Sequence, residues 1–198
     1  YEELAMEYEK NRRLYHDMNN HNLVMWKLAE KGEYERLHKY IGKLRPLEKD
    51  RHRQWTQNLI LDMILEYKLL AMEKKKILYE IKTDMIGEIA LADKELCILL
   101  GNLLDNAIEA CEKLEEEKRM VKIEVRKHHS MFMLIVENSC EAHAQVRKGI
   151  FRTTKKDDRM HGYGIHNVRK TVKNRGGQFQ YGSRGENFYV KILIPLVI

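Results

Sequence analysis

The stretch Leu100-Gly101-Asn102-Leu103-Leu104-Asp105-Asn106-Ala107-Ile108-Glu109-Ala110-Cys111 decides how this chain reads. Leu96, Leu100, Leu103, Ala107, Cys111 and Leu114 recur at helical spacing, so residues 93–116 are expected to form one long helix with a single buried stripe. Asn102, Asn106 and Glu109 fall on the flank of that stripe, and Asp105 projects away toward water. Asparagine is a poor residue inside a helix, because its side chain competes for backbone hydrogen bonds. Two of them at i, i+4 beside a core call for a reason. Their neutral oxygens suit a hard cation whose other ligands are phosphate oxygens.

Downstream, Met120–His128 and Met131–Asn138 are rich in β-branched and aromatic residues and read as strands. Residues 139–160 are polar, charged and aperiodic, longer than an ordinary connection, and are expected to form a functional lid. Next comes His161-Gly162-Tyr163-Gly164-Ile165-His166-Asn167-Val168, a GxG opening a helix that runs to about Asn174. Glycines let a backbone approach a ligand closely, and a helix start offers free N–H groups to phosphate. Gln178–Tyr181 and Asn187–Leu196 close the chain as a strand pair. Upstream, Asn58–Lys76 is helical, with Leu59, Met63, Glu66/Tyr67 and Leu70 carrying the pattern, and Ile77–Ile81 alternates like a strand. Helices interleaved with mostly non-crossover strands predict an α+β sandwich with helices on one face of a mixed sheet.

The N-terminal part has a different texture. Leu4, Tyr8, Asn11, Tyr15, Met18, Asn22, Met25 and Ala29 follow a 4-then-3 pattern over residues 1–31, the spacing of a bundle seam, widened by Leu14, His21 and Leu28. After a turn at Lys31-Gly32, a second helix carries Tyr34, Leu37, Ile41 and Leu44, and Pro46 is expected to kink or end it. Two such helices cannot enclose a core alone. Two copies make a four-helix bundle, so a homodimer is expected. On this reading residues 1–57 are a helical hairpin, residues 58–198 an α/β domain, and a hinge lies near residues 54–58. In Tyr15-His16-Asp17-Met18-Asn19-Asn20, His16 falls roughly 150° from the centre of the seam, presented to water. Asp17 stands beside it to bond one ring nitrogen and raise the nucleophilicity of the other. Asn20 lies one turn on along the same face.

Composition limits the classes available. The chain has 198 residues, 43% apolar and 33% charged, with no apolar run near the roughly 18–20 residues of a membrane span. The opening YEELAMEYEK is neither a signal peptide nor a capped helix start, which predicts a region upstream. The net charge of +6 is dispersed, without the concentrated basic stripe that nucleic acid requires. Cys97, Cys111 and Cys140 lack metal-ligand spacing and read as reduced, mostly buried residues of a cytosolic protein.

Taken in order, the exposed His-Asp helix, the NxxxN helix, the strand ending at Asn138, the polar loop and the GxG helix resemble the histidine kinases of the GHKL ATPase superfamily. More narrowly, YHDMNNHNLV, LGNLLDNAIEAC, VENSC, TTKKD and HGYGIHNV are similar to the Agr-type class of peptide-quorum-sensing receptors. The resemblance covers nearly the whole chain. It implies ATP and Mg²⁺ as cofactors, His16 as phosphoacceptor, Asp17 as its general base, and Asn20 as the neighbour associated with dephosphorylation. It further implies Asn106 as the Mg²⁺ ligand, Asn102 close to the phosphates, Gly162 and Gly164 shaping the phosphate wall, and Lys155 or Lys156 reaching the phosphates. Most of the superfamily carries a DxGxG box, whose Asp binds the adenine amino group. Here Val136-Glu137-Asn138-Ser139-Cys140 stands in that place, and the amide oxygen of Asn138 is expected to accept the same bond, with weaker nucleotide affinity. The implied partners are a response-regulator receiver domain and an upstream membrane sensor, with this part in the cytoplasm. Two alternatives stand beside this reading: a GHKL serine kinase of the anti-sigma type, and a non-catalytic dimeric adaptor.

Overall fold

The computed structural model describes residues 2–44, 54–141 and 163–196. The chain divides into two compact units, Tyr1–Arg51 and His52–Ile198. Pro46, Lys155, Lys156, Gly162 and most of the expected lid lie outside the described residues.

The first unit is a helical hairpin of α1 (Glu2–Glu30) and α2 (Tyr34–Leu44). The turn closes because Gly32 takes φ +69°, so that Gly32 N–H reaches Ala29 O and Glu33 N–H reaches Leu28 O. His21 Nδ1 and the Tyr40 hydroxyl, 2.8 Å apart, tie the two helices together. Their mutual packing is thin. No residue of α2 is buried, and Leu14, Tyr15, Met18, Leu23 and Trp26 of α1 are exposed.

The second unit places α3 (Leu59–Lys74), α5 (Asn102–Cys111) and α6 (Tyr163–Asn174) on one face of a five-stranded sheet. Its strands β1 (Leu78–Thr83), β2 (Met120–His128), β3 (Met131–Ser139), β4 (Gln178–Arg184) and β5 (Asn187–Pro195) lie in the order β1-β2-β3-β5-β4. Only the β1–β2 pairing is parallel. The period-2 alternation sets the inner face: Val121, Ile123 and Val125 of β2, Phe132, Leu134 and Val136 of β3, and Val190, Ile192 and Ile194 of β5 are buried in facing register. Opposite them, α3 buries Leu61, Leu65, Leu69 and Met72 at helical spacing. Each such side chain contributes about 1.5–3 kcal/mol of burial.

Three sequence-based expectations change. The helix expected over 93–116 is a short α4 (Asp93–Leu96), a π turn at Cys97–Gly101, then α5, with a 3₁₀ turn at Glu116–Lys118 beyond. The segment 55–58, read as the end of the hairpin and as a hinge, is clamped into the second unit. Thr56 is fully buried; its N–H and Oγ1 both donate to Asp62 Oδ1, at 2.9 and 2.7 Å, and its carbonyl accepts from Ile86 and Gly87 N–H. Trp55 O accepts from Thr83 Oγ1, and Asn58 caps α3 by accepting from Leu61 N–H. A segment with its backbone groups tied in this way does not serve as a hinge. Third, Cys97 is exposed, whereas Cys111 is buried and Cys140 intermediate.

Candidate functional site

On α1, His16 is exposed, with 76% of its side chain accessible. Asn20 Nδ2 lies 3.2 Å from His16 Nδ1, and Asp17 Oδ1 lies 3.7 Å from the same nitrogen. Both neighbours lie at Nδ1 but ask opposite things of it: Asn20 Nδ2 donates and needs a lone pair there, whereas the Asp17 oxygen needs a proton, so the two favour opposite tautomers.

In the second unit, α5 carries both asparagines of the NxxxN pattern. The amide of Asn102 donates from Nδ2 to Ile98 O at 2.6 Å, one turn back across the π turn. Its Oδ1 faces α6: a Cβ placed on Gly164 would stand 2.9 Å from it. The structure thus brings two separate sequence motifs into contact. Asn106 sits one turn further along, and its Nδ2 is buried without a hydrogen-bond partner among the described residues. An orphaned amide in a native fold calls for a ligand to complete it. Because the two ends of an asparagine amide are interchangeable by rotation, the same position offers an oxygen to a cation. Asn106 therefore fits a Mg²⁺ ion bound together with phosphate oxygens.

Asn138 ends the buried row of β3, 5% exposed where an apolar residue would otherwise stand, between Val121 of β2 and Phe188 of β5. Its Nδ2 donates to Ser139 O at 2.8 Å, which leaves the amide oxygen as the acceptor that an adenine amino group would need. The C-terminal end of α5 lies over this strand end, with Cys111 Sγ directed at Met120 O and Ser139 O. Burial pushes the thiols of Cys111 and Cys140 up, so neither is poised as a thiolate.

Two ion pairs frame the site. Asp105, expected to face water, pairs with Lys68 of α3; the carboxylate is 58% exposed but the lysine side chain only 11%. A helical projection of α5 alone cannot see α3, so nothing in the pattern of either helix pairs Asp105 with Lys68. Arg175, just past α6, forms a bidentate pair with Glu95 of α4. Its guanidinium holds the Glu95 carboxyl below the usual range, against the opposing effect of burial. Among the described residues no cluster of three or more His, Cys, Asp or Glu side chains could hold a metal ion.

Residues 91–195, more than half of the chain, match the family model of the GHKL domain. No curated relative matches the chain. Among solved structures, the catalytic domain of the histidine kinase ThkA is similar, with a TM-score of 0.56 and 19% identity, covering 70% of this chain and 91% of that one. The histidine kinase AdeS of Acinetobacter baumannii gives 0.53 at 16% identity, covering 84% and 82%. The histidine kinase domain of the blue-light-activated kinase EL346 of Erythrobacter litoralis gives 0.51 at 14%, covering 73% and 65%. At these identities the likeness is one of fold. Together with the mixed sheet, the one-sided helices and the asparagine-bearing α5, the family match shows that this chain belongs to the GHKL domain family.

Proposed function

We propose that this chain is the catalytic core of a sensor histidine kinase of the Agr-type class, phosphorylating His16 from ATP and passing the phosphoryl group to an aspartate of a response regulator. The observation that carries the reading is the combination, in one chain, of an exposed histidine flanked at Nδ1 by Asp17 and Asn20 with a GHKL domain whose Asn106 Nδ2 is buried without a partner among the described residues. The magnesium–ATP complex supplies the phosphoryl group and neutralises charge on its oxygens.

The work of the protein is placement and proton management. With the proton on Nδ1, held toward Asp17, the lone pair of His16 sits on Nε2 and is free to attack phosphorus. Nε2 forms the N–P bond as ADP leaves, and Asp17 takes the Nδ1 proton. Asn20 meets the same nitrogen through Nδ2, a donor, and so favours the other tautomer; attack from Nε2 requires that contact to give way to Asp17. Asn106 would hold Mg²⁺ and Asn138 the adenine amino group, while the resemblance assigns Lys155, Lys156 and Gly162 to the phosphate side. The exposed apolar face of α1 supports a homodimer through a four-helix bundle. No helix among the described residues is long and apolar enough to cross a membrane. On this reading the chain is the cytoplasmic part of a sensor whose membrane region lies upstream.

Incubation with radiolabelled ATP and Mg²⁺ tests this. Wild type is expected to acquire acid-labile, alkali-stable label that both His16→Gln and Asn106→Ala lose. Label surviving His16→Gln overturns the phosphoacceptor. Acid-stable label on another protein points to a serine kinase, and nucleotide binding without any transfer points to an adaptor.

A further inference from the structure

Asn102 opens α5 directly after the π turn at Cys97–Gly101. Such turns add a residue to a helix and re-aim the side chains beyond it, and they collect at functional sites. The Asn102 side chain, first after the turn, is tethered: Nδ2 is bonded to Ile98 O at 2.6 Å, so the amide cannot swing freely. Its oxygen is thereby held toward the first turn of α6. A Cβ on Gly164 would meet Oδ1 at 2.9 Å, Cγ at 3.5 Å and the Asn102 Cβ at 3.6 Å. Gly164 lies in a helix and has no left-handed φ, so its backbone suits any residue. What requires glycine there is the amide of Asn102. The far end of α6 is pinned separately, by Arg175 on Glu95. The distance of its first turn from α5 is therefore decided at the Asn102–Gly164 contact.

We propose that Asn102 is a positioning residue for the nucleotide site, acting through Gly164: its tethered amide seats the first turn of α6 against α5, one helical turn from Asn106, and it is not itself a phosphate ligand. This rests on the kinase reading above and assigns Asn102 a different task within it. Adding a methyl group at position 164 pushes the helix off its seat. Removing the amide loosens the seat but also makes room for that methyl group, so the two changes compensate.

The test uses the intact chain with Asn102→Ala, Gly164→Ala and the double variant. It measures the Mg²⁺–ATP dissociation constant by calorimetry and, without nucleotide, the thermal midpoint. Gly164→Ala is expected to weaken binding by about tenfold or more, the scale of an overpacked contact. The double variant is expected to bind more tightly than Gly164→Ala alone. Losses that multiply independently in the double variant would overturn the proposal, because a direct phosphate ligand would behave that way. So would a shifted midpoint with unchanged affinity, the mark of a purely structural residue. Should Gly164→Ala fail to fold, recovery of folding in the double variant supports the contact and continued failure overturns it. A wild type that binds no nucleotide overturns the kinase reading and this role with it, and the thermal midpoints then report whether the contact itself is real.

Discussion

Arg175 and Glu95, eighty residues apart in the chain, meet in a two-pronged ion pair that fastens the end of α6 to α4. Glu95 also accepts Ala92 N–H at 2.8 Å, so one carboxylate caps α4 and anchors α6. Paired geometry of this kind is the stronger form of ion pair. The carboxyl is held below its usual range, chiefly by the hydrogen bond from Arg175. A depressed carboxylate stabilises the fold above its unfolded pKa, roughly 4.3, and that stabilisation is lost as pH falls through the lower folded value. Arg175→Met should therefore lower the urea midpoint at pH 7, and the gap from wild type should shrink well below pH 4. A gap that persists in acid would assign the effect to packing.

Lys68 and Asp105 predict an asymmetry. The lysine is the buried partner and the aspartate the exposed one. Asp105→Ala leaves a buried ammonium group without its anion and should cost about 2–3 kcal/mol. Lys68→Met leaves a half-exposed carboxylate that water can solvate, and should cost about 1 kcal/mol or less. Equilibrium denaturation of the two variants decides it, and equal losses would contradict the burial argument.

Gln57 adopts φ +58° immediately before the cap of α3, although its neighbours Thr56 and Asn58 fix the backbone there. A left-handed non-glycine residue costs roughly 1–2 kcal/mol, part of which glycine returns as chain entropy. Gln57→Gly should gain about 0.5–1 kcal/mol, and Gln57→Ala nothing. Thermal melts of both separate backbone strain from loss of the glutamine side chain.

The three cysteines should react in order of exposure. Iodoacetamide on the native protein is expected to label Cys97 first, Cys140 more slowly, and Cys111 only on unfolding, with mass-spectrometric peptide mapping as the readout. Early labelling of Cys111 would mean that the end of α5 opens readily from the sheet.

Much of this was legible before the structure. The period of the apolar residues in β2 and β3 marks their inner faces, and Asn102 and Asn106 draw notice because asparagine is costly inside a helix. In α3 the period misleads, because apolar residues run around the helix: Leu59, Met63 and Tyr67 are exposed, and Leu61, Leu65, Leu69 and Met72 are the ones buried. Other features were hidden. The residues Cys97-Ile98-Leu99-Leu100-Gly101 are largely apolar, so a π turn and a continuous α-helix suit them equally. Trp55–Asn58 lacks any helical or strand period, and its anchoring by Asp62, Thr83, Ile86 and Gly87 depends on residues up to about thirty positions away.

The sequence by itself determined most of the elements, the inner face of the sheet, the exposure of His16 and the presence of asparagines on α5. These come from backbone periodicity, a property of neighbours along the chain. Only the tertiary structure decided that Asp105 meets Lys68, that Arg175 meets Glu95, and that Gly164 is a glycine on account of Asn102. Those relationships join separate elements, and their distances are set by how side chains pack between helices and sheet, which no period within one element encodes.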